Sequence, residues 1–254
     1  LSYKVSKSDF IWQKKVEQNK KNIKKQLNEV SKAIESMAKG IEDDIQVEEK
    51  YEKEKSQILE LISQKNIEVQ DISIKHKTRY ILEIYCDGNL ETSEIETIEQ
   101  ILTKVLKEKI VLNYEASTAK ILNFLSDDKY KMALGMTSAT KSKSEQTGDS
   151  ILNIRLKDGK YLVAISDGMG TGREAKKSST QALKMLENLL LSGFDKDTSL
   201  KLINTSLMNK NIETFATLDI AIIDLYAGNI EFIKSGACPT YIKNKKRVQL
   251  IKSR

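Results

Sequence analysis

A chain of 254 residues is long for one domain and comfortable for two. Its hydrophobic content of 39% supports a core, while 31% charged residues against 6% aromatics point to long, exposed helices. The formal charge is +6, yet the lysines are scattered among glutamates with no basic stripe and no stacking aromatics, which argues against nucleic acid as a partner.

From about Phe10 to Ile45 the chain is rich in Lys, Glu, Gln and Asn. Val16, Ile23, Val30 and Met37 recur every seven residues, with Leu27, Ile34 and Ile41 at the interleaved positions. This 4-3 spacing predicts a long coiled-coil helix with a narrow apolar seam. One helix cannot bury such a seam, so the expected partner is either a second copy or the helix around Tyr51 to Ile62. Phe10, Ile11 and Trp12 suit a docking or membrane-proximal anchor. The first residue is Leu1, which is not read as a natural start, and no apolar run approaches the ~20 residues of a membrane span.

Ile67–Ile74 and Tyr80–Tyr85 alternate as half-buried strands around a polar turn. Thr92 or Ser93 is the expected cap of a helix whose Ile95, Ile98, Ile101, Leu102, Val105 and Leu106 share a face. His76, the single histidine, reads as a solvated loop residue, so a triad mechanism lacks its base. Cys86 and Cys238 have no metal-ligand spacing and read as reduced core residues of a cytoplasmic protein.

Further on, strands are expected over Tyr130–Thr140 and Ser150–Leu156, with Asp158-Gly159 as the turn of a hairpin into Tyr161–Ser166. Helices follow over Glu174–Leu191, stopped at Gly193, and over Asp197–Met208, capped by Asp197 or Thr198. The last strands are Ala216–Leu225, Ile230–Lys234, Tyr241–Lys243 and Val248–Ile251. The fold class is α+β: antiparallel sheets packed with a helical pair. The expected division is a helical, coiled-coil linker over 1–64, a small α+β regulatory module over 65–128, and a third unit over 129–254.

The chemistry concentrates in Ser166-Asp167-Gly168-Met169-Gly170-Thr171-Gly172, between a strand and a helix. A nucleotide loop would need a βαβ unit and a Gly-Lys-Ser/Thr, and it would not tolerate an aspartate at its mouth without a cation. A hard metal ion fits better. Asp167 offers two oxygens at a rigid strand end, and Gly168 leaves its own carbonyl free to face the ion. Asp149, in Thr147-Gly148-Asp149-Ser150, precedes the partner strand, and hairpin pairing brings both aspartates toward one sheet end. Two carboxylates there begin a two-metal site of the kind that hydrolyses phosphate esters.

Thr-Gly-Asp-Ser at 147–150 followed by Ile-Ser-Asp-Gly-Met-Gly-Thr-Gly at 165–172 resembles the PP2C-type metal-dependent serine/threonine phosphatases, and among them the sporulation branch of endospore-forming bacteria. The likeness extends to Glu187–Gly193, Thr217–Asp219 and Lys234–Thr240, and Ile11–Lys14 looks like that branch's region just after its membrane spans. The resemblance implies an α-β-β-α sandwich holding two Mn²⁺ or Mg²⁺ ions, with Asp167 as bridging, catalytic ligand, the Gly168 carbonyl as a second and Asp149 as a third. It further implies a phosphorylated anti-anti-sigma factor as substrate, activation of a forespore sigma factor, and a cell-division protein as a further partner. The helices at 174–191 and 197–208 correspond to a regulatory switch pair, and the N-terminal helices to a self-associating arm on the cytoplasmic side of a membrane-anchored protein. Two more metal-binding aspartates of the family belong downstream of Arg254, so the sandwich is expected to be truncated, and Asp219 is read as structural. The competing reading is a catalytically incomplete coiled-coil oligomerisation and partner-docking module.

Overall fold

A computed structural model describes residues 50–140, 147–168, 172–208 and 216–252, together with most positions between 10 and 38. The described positions between 10 and 38 are helical, and the seam residues Ile23, Leu27, Val30 and Ile34 among them are exposed. No coiled-coil pairing of this seam is shown. Met37, Ile41, Met169, Gly170 and Thr171 lie outside the described residues.

The first layered unit starts with helix α1 (Glu52–Ser63) and hairpin strands β1 (Asp71–His76) and β2 (Tyr80–Tyr85). Helix α2 (Thr92–Leu106) follows, then β3 (Ile110–Leu112) and β4 (Ile121–Ser126). The four strands form an antiparallel sheet in the order β1-β2-β4-β3. Ile58 and Ile62 of α1 and Ile98 and Leu102 of α2 bury against Ile72, Ile74, Leu82, Ile84 and Phe124. The spacing of these helix residues puts them on one stripe, which is why the helices lie flat on the sheet. The cap of α2 is Glu91 rather than Thr92 or Ser93: it forms a reciprocal capping box with Glu94.

The second unit is a sheet in the order β5-β6-β7-β8, built from β5 (Asp149–Arg155), β6 (Tyr161–Asp167), β7 (Leu218–Asp224) and β8 (Asn229–Ser235). Between β6 and β7 run α3 (Gly172–Leu191) and α4 (Lys196–Met208). Ala182, Leu183 and Leu186 of α3 and Ile203 of α4 pack on Leu162, Ala164, Leu218 and Ile220. Gly193 and Phe194 donate back to Leu190 and Leu189, closing α3 in a Schellman motif. Asp195, not Asp197 or Thr198, caps α4 by accepting from the Thr198 amide. β9 (Thr240–Lys243) and β10 (Val248–Ile251) form a separate two-stranded ladder. Thus the described residues hold one helix layer and one four-stranded sheet of the expected sandwich, and Ile151 and Ile165 on the far face stay exposed.

Several expectations need correction. Residues 131–140 are not a strand. Met132, Leu134 and Met136 supply the alternation, but the stretch pairs with no strand among the described residues, and a strand is held by its ladder. His76 is half-buried at the end of β1, 4.3 Å from the Tyr80 ring centre, not solvated in a loop. Cys86 is in the core, whereas Cys238 is exposed. Helix α3 starts at Gly172, one half-turn earlier than Glu174.

The two sheets meet at the β5–β6 turn. Asp128 accepts from Arg79 Nη2 at 2.5 Å and from Arg155 Nη2 at 2.8 Å, and the Asn113 amide donates to the Leu156 carbonyl at 3.2 Å. The turn is a three-residue loop in which Gly159 has φ +81 and lies against the Arg79 guanidinium. A side chain there would be strained by conformation and would collide with Arg79.

Candidate metal centre

The far end of the same hairpin carries the acidic residues. The β5–β6 register pairs Ser150 with Ser166 and Asp149 directly with Asp167. Opposed residues on one face stand about 5 Å apart, so two like charges meet there. Asp167's carboxyl is held above the ordinary carboxylate range, first by partial burial, then by the charge on Asp149 and by a hydrogen bond with it. Carboxylates that repel each other in this way are set up for a cation.

The backbone around the pair is fixed from three sides. The Asp167 amide donates to Thr217 Oγ1 at 3.1 Å, and its carbonyl accepts from the Thr217 amide at 2.9 Å. Thr147 Oγ1 donates to Asp149 Oδ2 at 3.2 Å. Gly168 lies so close to the first turn of α3 that a Cβ on it would stand 1.9 Å from the Ala175 carbonyl oxygen. Only glycine admits that approach. A Cβ on Gly148 would stand 3.4 Å from the Gly168 carbonyl oxygen and 3.8 Å from Asp167 Oδ1, so both oxygens face the Gly148–Asp149 turn.

Asp149, Asp167 and the Gly168 carbonyl therefore converge on one sheet end as an all-oxygen donor set. Such a set fits a hard divalent ion. Among the described residues no third His, Cys, Asp or Glu side chain joins the pair. Asp219 is committed elsewhere, with Lys234 Nζ at 2.6 Å and Thr240 Oγ1 at 3.0 Å. Asp224 caps the following turn by accepting from the Tyr226 and Ala227 amides.

The residues missed by sequence reasoning are Ser150, Ser179 and Thr180, whose hydroxyls join β5 to α3 beside Asp149. A signal was available: Ser179 falls in phase with Ala175, Ala182 and Leu186 on the apolar stripe of α3, where a hydroxyl needs a partner.

An antiparallel sheet with a helical pair on one face and an aspartate-glycine turn at its strand end is the arrangement expected of half a PP2C-type sandwich. Residues 157–254 match the family model for stage II sporulation protein E (SpoIIE). The chain is 33% identical over 245 residues to stage II sporulation protein E of Priestia megaterium, covering 92% of this chain and 41% of that protein. It is 30% identical over 250 residues to the Bacillus subtilis (strain 168) protein of the same name, covering 94% of this chain and 30% of that one. The solved structure of the PP2C phosphatase domain and a fragment of the regulatory domain of SpoIIE from B. subtilis superposes with a TM-score of 0.60 at 29% identity, covering 95% of this chain and 72% of that one. The likeness to SpoIIE thus runs along most of this chain, which spans less than half the length of these two curated relatives.

Proposed function

We propose that this chain contributes the first half of a two-metal centre that hydrolyses phosphoserine on a protein. The observation that carries the reading is the direct pairing of Asp149 with Asp167 beside the Gly168 carbonyl. Asp167, Asp149 and the Gly168 carbonyl would hold this half of the centre. Bound Mn²⁺ or Mg²⁺ supplies a water of lowered pKa and neutralises charge on the phosphoryl group. The chain's own residues fix the ligands: Thr217 holds Asp167, Thr147 steadies Asp149, and α3 presses Gly168 into place.

The family supports a finer reading, in which the substrate is a phosphorylated anti-anti-sigma factor and its dephosphorylation releases a forespore sigma factor. In this reading 129–254 is the phosphatase unit, 65–128 the regulatory module and 1–64 the helical arm. The exposed seam through Ile23, Leu27, Val30 and Ile34 supports self-association of that arm. A cell-division protein as a further partner and a membrane anchor elsewhere in the protein belong to the same reading. Among the described residues no helix is long and apolar enough to cross a membrane.

The test joins binding to chemistry. Calorimetry with Mn²⁺ and release of phosphate from a phosphoserine protein are measured on the chain and on Asp167→Asn. Metal binding is expected for the first and not for the second, and any Mn²⁺-dependent release should disappear with Asp167→Asn. A chain that binds no Mn²⁺ overturns the reading in favour of a non-catalytic docking module.

A further inference from the structure

Asp149, a ligand on the metal-centre proposal, sits on β5, an edge of its sheet among the described residues, so β6 alone cannot fix its position. What holds its outer side is α3. Ser179, fully buried, lies 2.5 Å from the Gly148 carbonyl and 3.0 Å from the Lys176 carbonyl of its own helix, and the shorter contact takes its proton. Its oxygen lies 2.8 Å from Ser150 Oγ, which in turn lies 2.9 Å from Thr180 Oγ1. A hydroxyl has one proton to give. With Ser179's proton on Gly148, Ser150 donates to Ser179 and Thr180 donates to Ser150. The three hydroxyls thus form one directed chain that starts at the exposed Thr180 and ends on the residue before Asp149. Such chains polarise and strengthen along their length. From the solvent side Lys176 Nζ donates to the Asp149 carbonyl at 2.6 Å.

We propose that Ser179 is the positioning residue of the centre: through the Gly148 carbonyl and Ser150 it clamps the segment on both sides of Asp149 to α3, and so sets the affinity for the metal. This role rests on the metal-centre reading above. Ser179 touches neither substrate nor ion; it acts through Asp149.

The experiment compares Mn²⁺ affinity by calorimetry with thermal stability and with amide hydrogen exchange at 148–150 in the metal-free chain. Ser179→Ala is expected to bind Mn²⁺ about tenfold or more weakly, in the range found for groups that support metal ligands, and to exchange faster at 148–150. Ser178→Ala is the control: that hydroxyl is also buried on α3 but donates only within its own helix, to the Glu174 carbonyl at 3.2 Å. It should leave affinity and exchange unchanged whatever it does to the melting temperature. Should Ser179→Ala not fold, Ser150→Ala removes the opposite partner and is expected to weaken binding in the same direction. Wild-type affinity and wild-type exchange in the folded variants overturn the role of Ser179. A wild-type chain without Mn²⁺ binding overturns the metal-centre reading instead, and the exchange rates still report whether Ser179 holds the segment.

Discussion

Replacing Gly168 by alanine isolates the contact between the metal-site turn and α3. The added Cβ would stand 1.9 Å from the Ala175 carbonyl oxygen, 2.6 Å from its carbon and 2.9 Å from its Cα. All three are main-chain atoms, so no rotamer change can relieve the clash. Ordinary contact begins near 3.4 Å, so the first turn of α3 must retreat by roughly 1.5 Å. Overpacked cores typically lose 1–3 kcal/mol, and a clash against helix backbone belongs at the upper end, about 3 kcal/mol. The retreat also opens the contact between Gly148 and the Ala175 side chain, so Mn²⁺ affinity should fall with stability. Urea unfolding followed by far-UV circular dichroism measures the loss. Gly172→Ala serves as comparison: it has φ +70 and nothing within 4 Å, so it should cost only the left-handed strain, about 1 kcal/mol. A folded Gly168→Ala chain within about 0.5 kcal/mol of wild type would refute the steric argument.

Asp149→Asn removes the charge that helps to raise Asp167, so the Asp167 carboxyl, followed by carbon NMR, should titrate lower, toward the ordinary carboxylate range. A raised folded-state pKa contributes stability that is present below the unfolded value and lost as pH rises through the folded one. The metal-free wild type should therefore lose stability relative to Asp149→Asn as pH rises through the carboxylate range, and the two should converge in acid. Unchanged Asp167 titration would show that burial alone sets it. At the junction, Asp128→Ala strips Arg79, 3% exposed at the side chain, and Arg155 of their shared carboxylate. Leaving a buried guanidinium unpaired should cost about 3 kcal/mol in urea unfolding, and a loss under about 1 kcal/mol would mean that solvent or Tyr226 already compensates it.

The hairpin and its acidic end were legible because Asp158-Gly159 and strict alternation leave little choice of register, and register decides which residues face each other. β4 was not legible: five of its six residues, Leu122–Ser126, are buried, so the strand shows no alternation. β3 has three residues, too few for any pattern. The strand expected at Tyr130–Thr140 shows the opposite failure, since alternation describes one face of a strand and says nothing about the neighbour that must pair with it. In the site, Asp149, Asp167 and Gly168 carried a chemical signature in sequence. Ser179 carried only a phase on a helix, and its partner Ser150 is distant in the chain, so their bond emerges only when α3 lies on β5.

The β5–β6 hairpin has one end clasped between Arg79, Asn113 and Asp128 and the other carrying the paired aspartates. β6 spans seven residues, or roughly 20 Å at about 3.4 Å per residue. A tilt of about 3° at the clasp swings the acidic tip by roughly 1 Å over that length. Asp149 and Asp167 are register partners, and β6 is laddered to β7 and bonded to Thr217, so the swing carries both aspartates together with the sheet they belong to. The clasp of Arg79, Asn113 and Asp128 and the paired aspartates are thus the two ends of one lever, and on the metal-centre proposal a change at the first would be felt at the second.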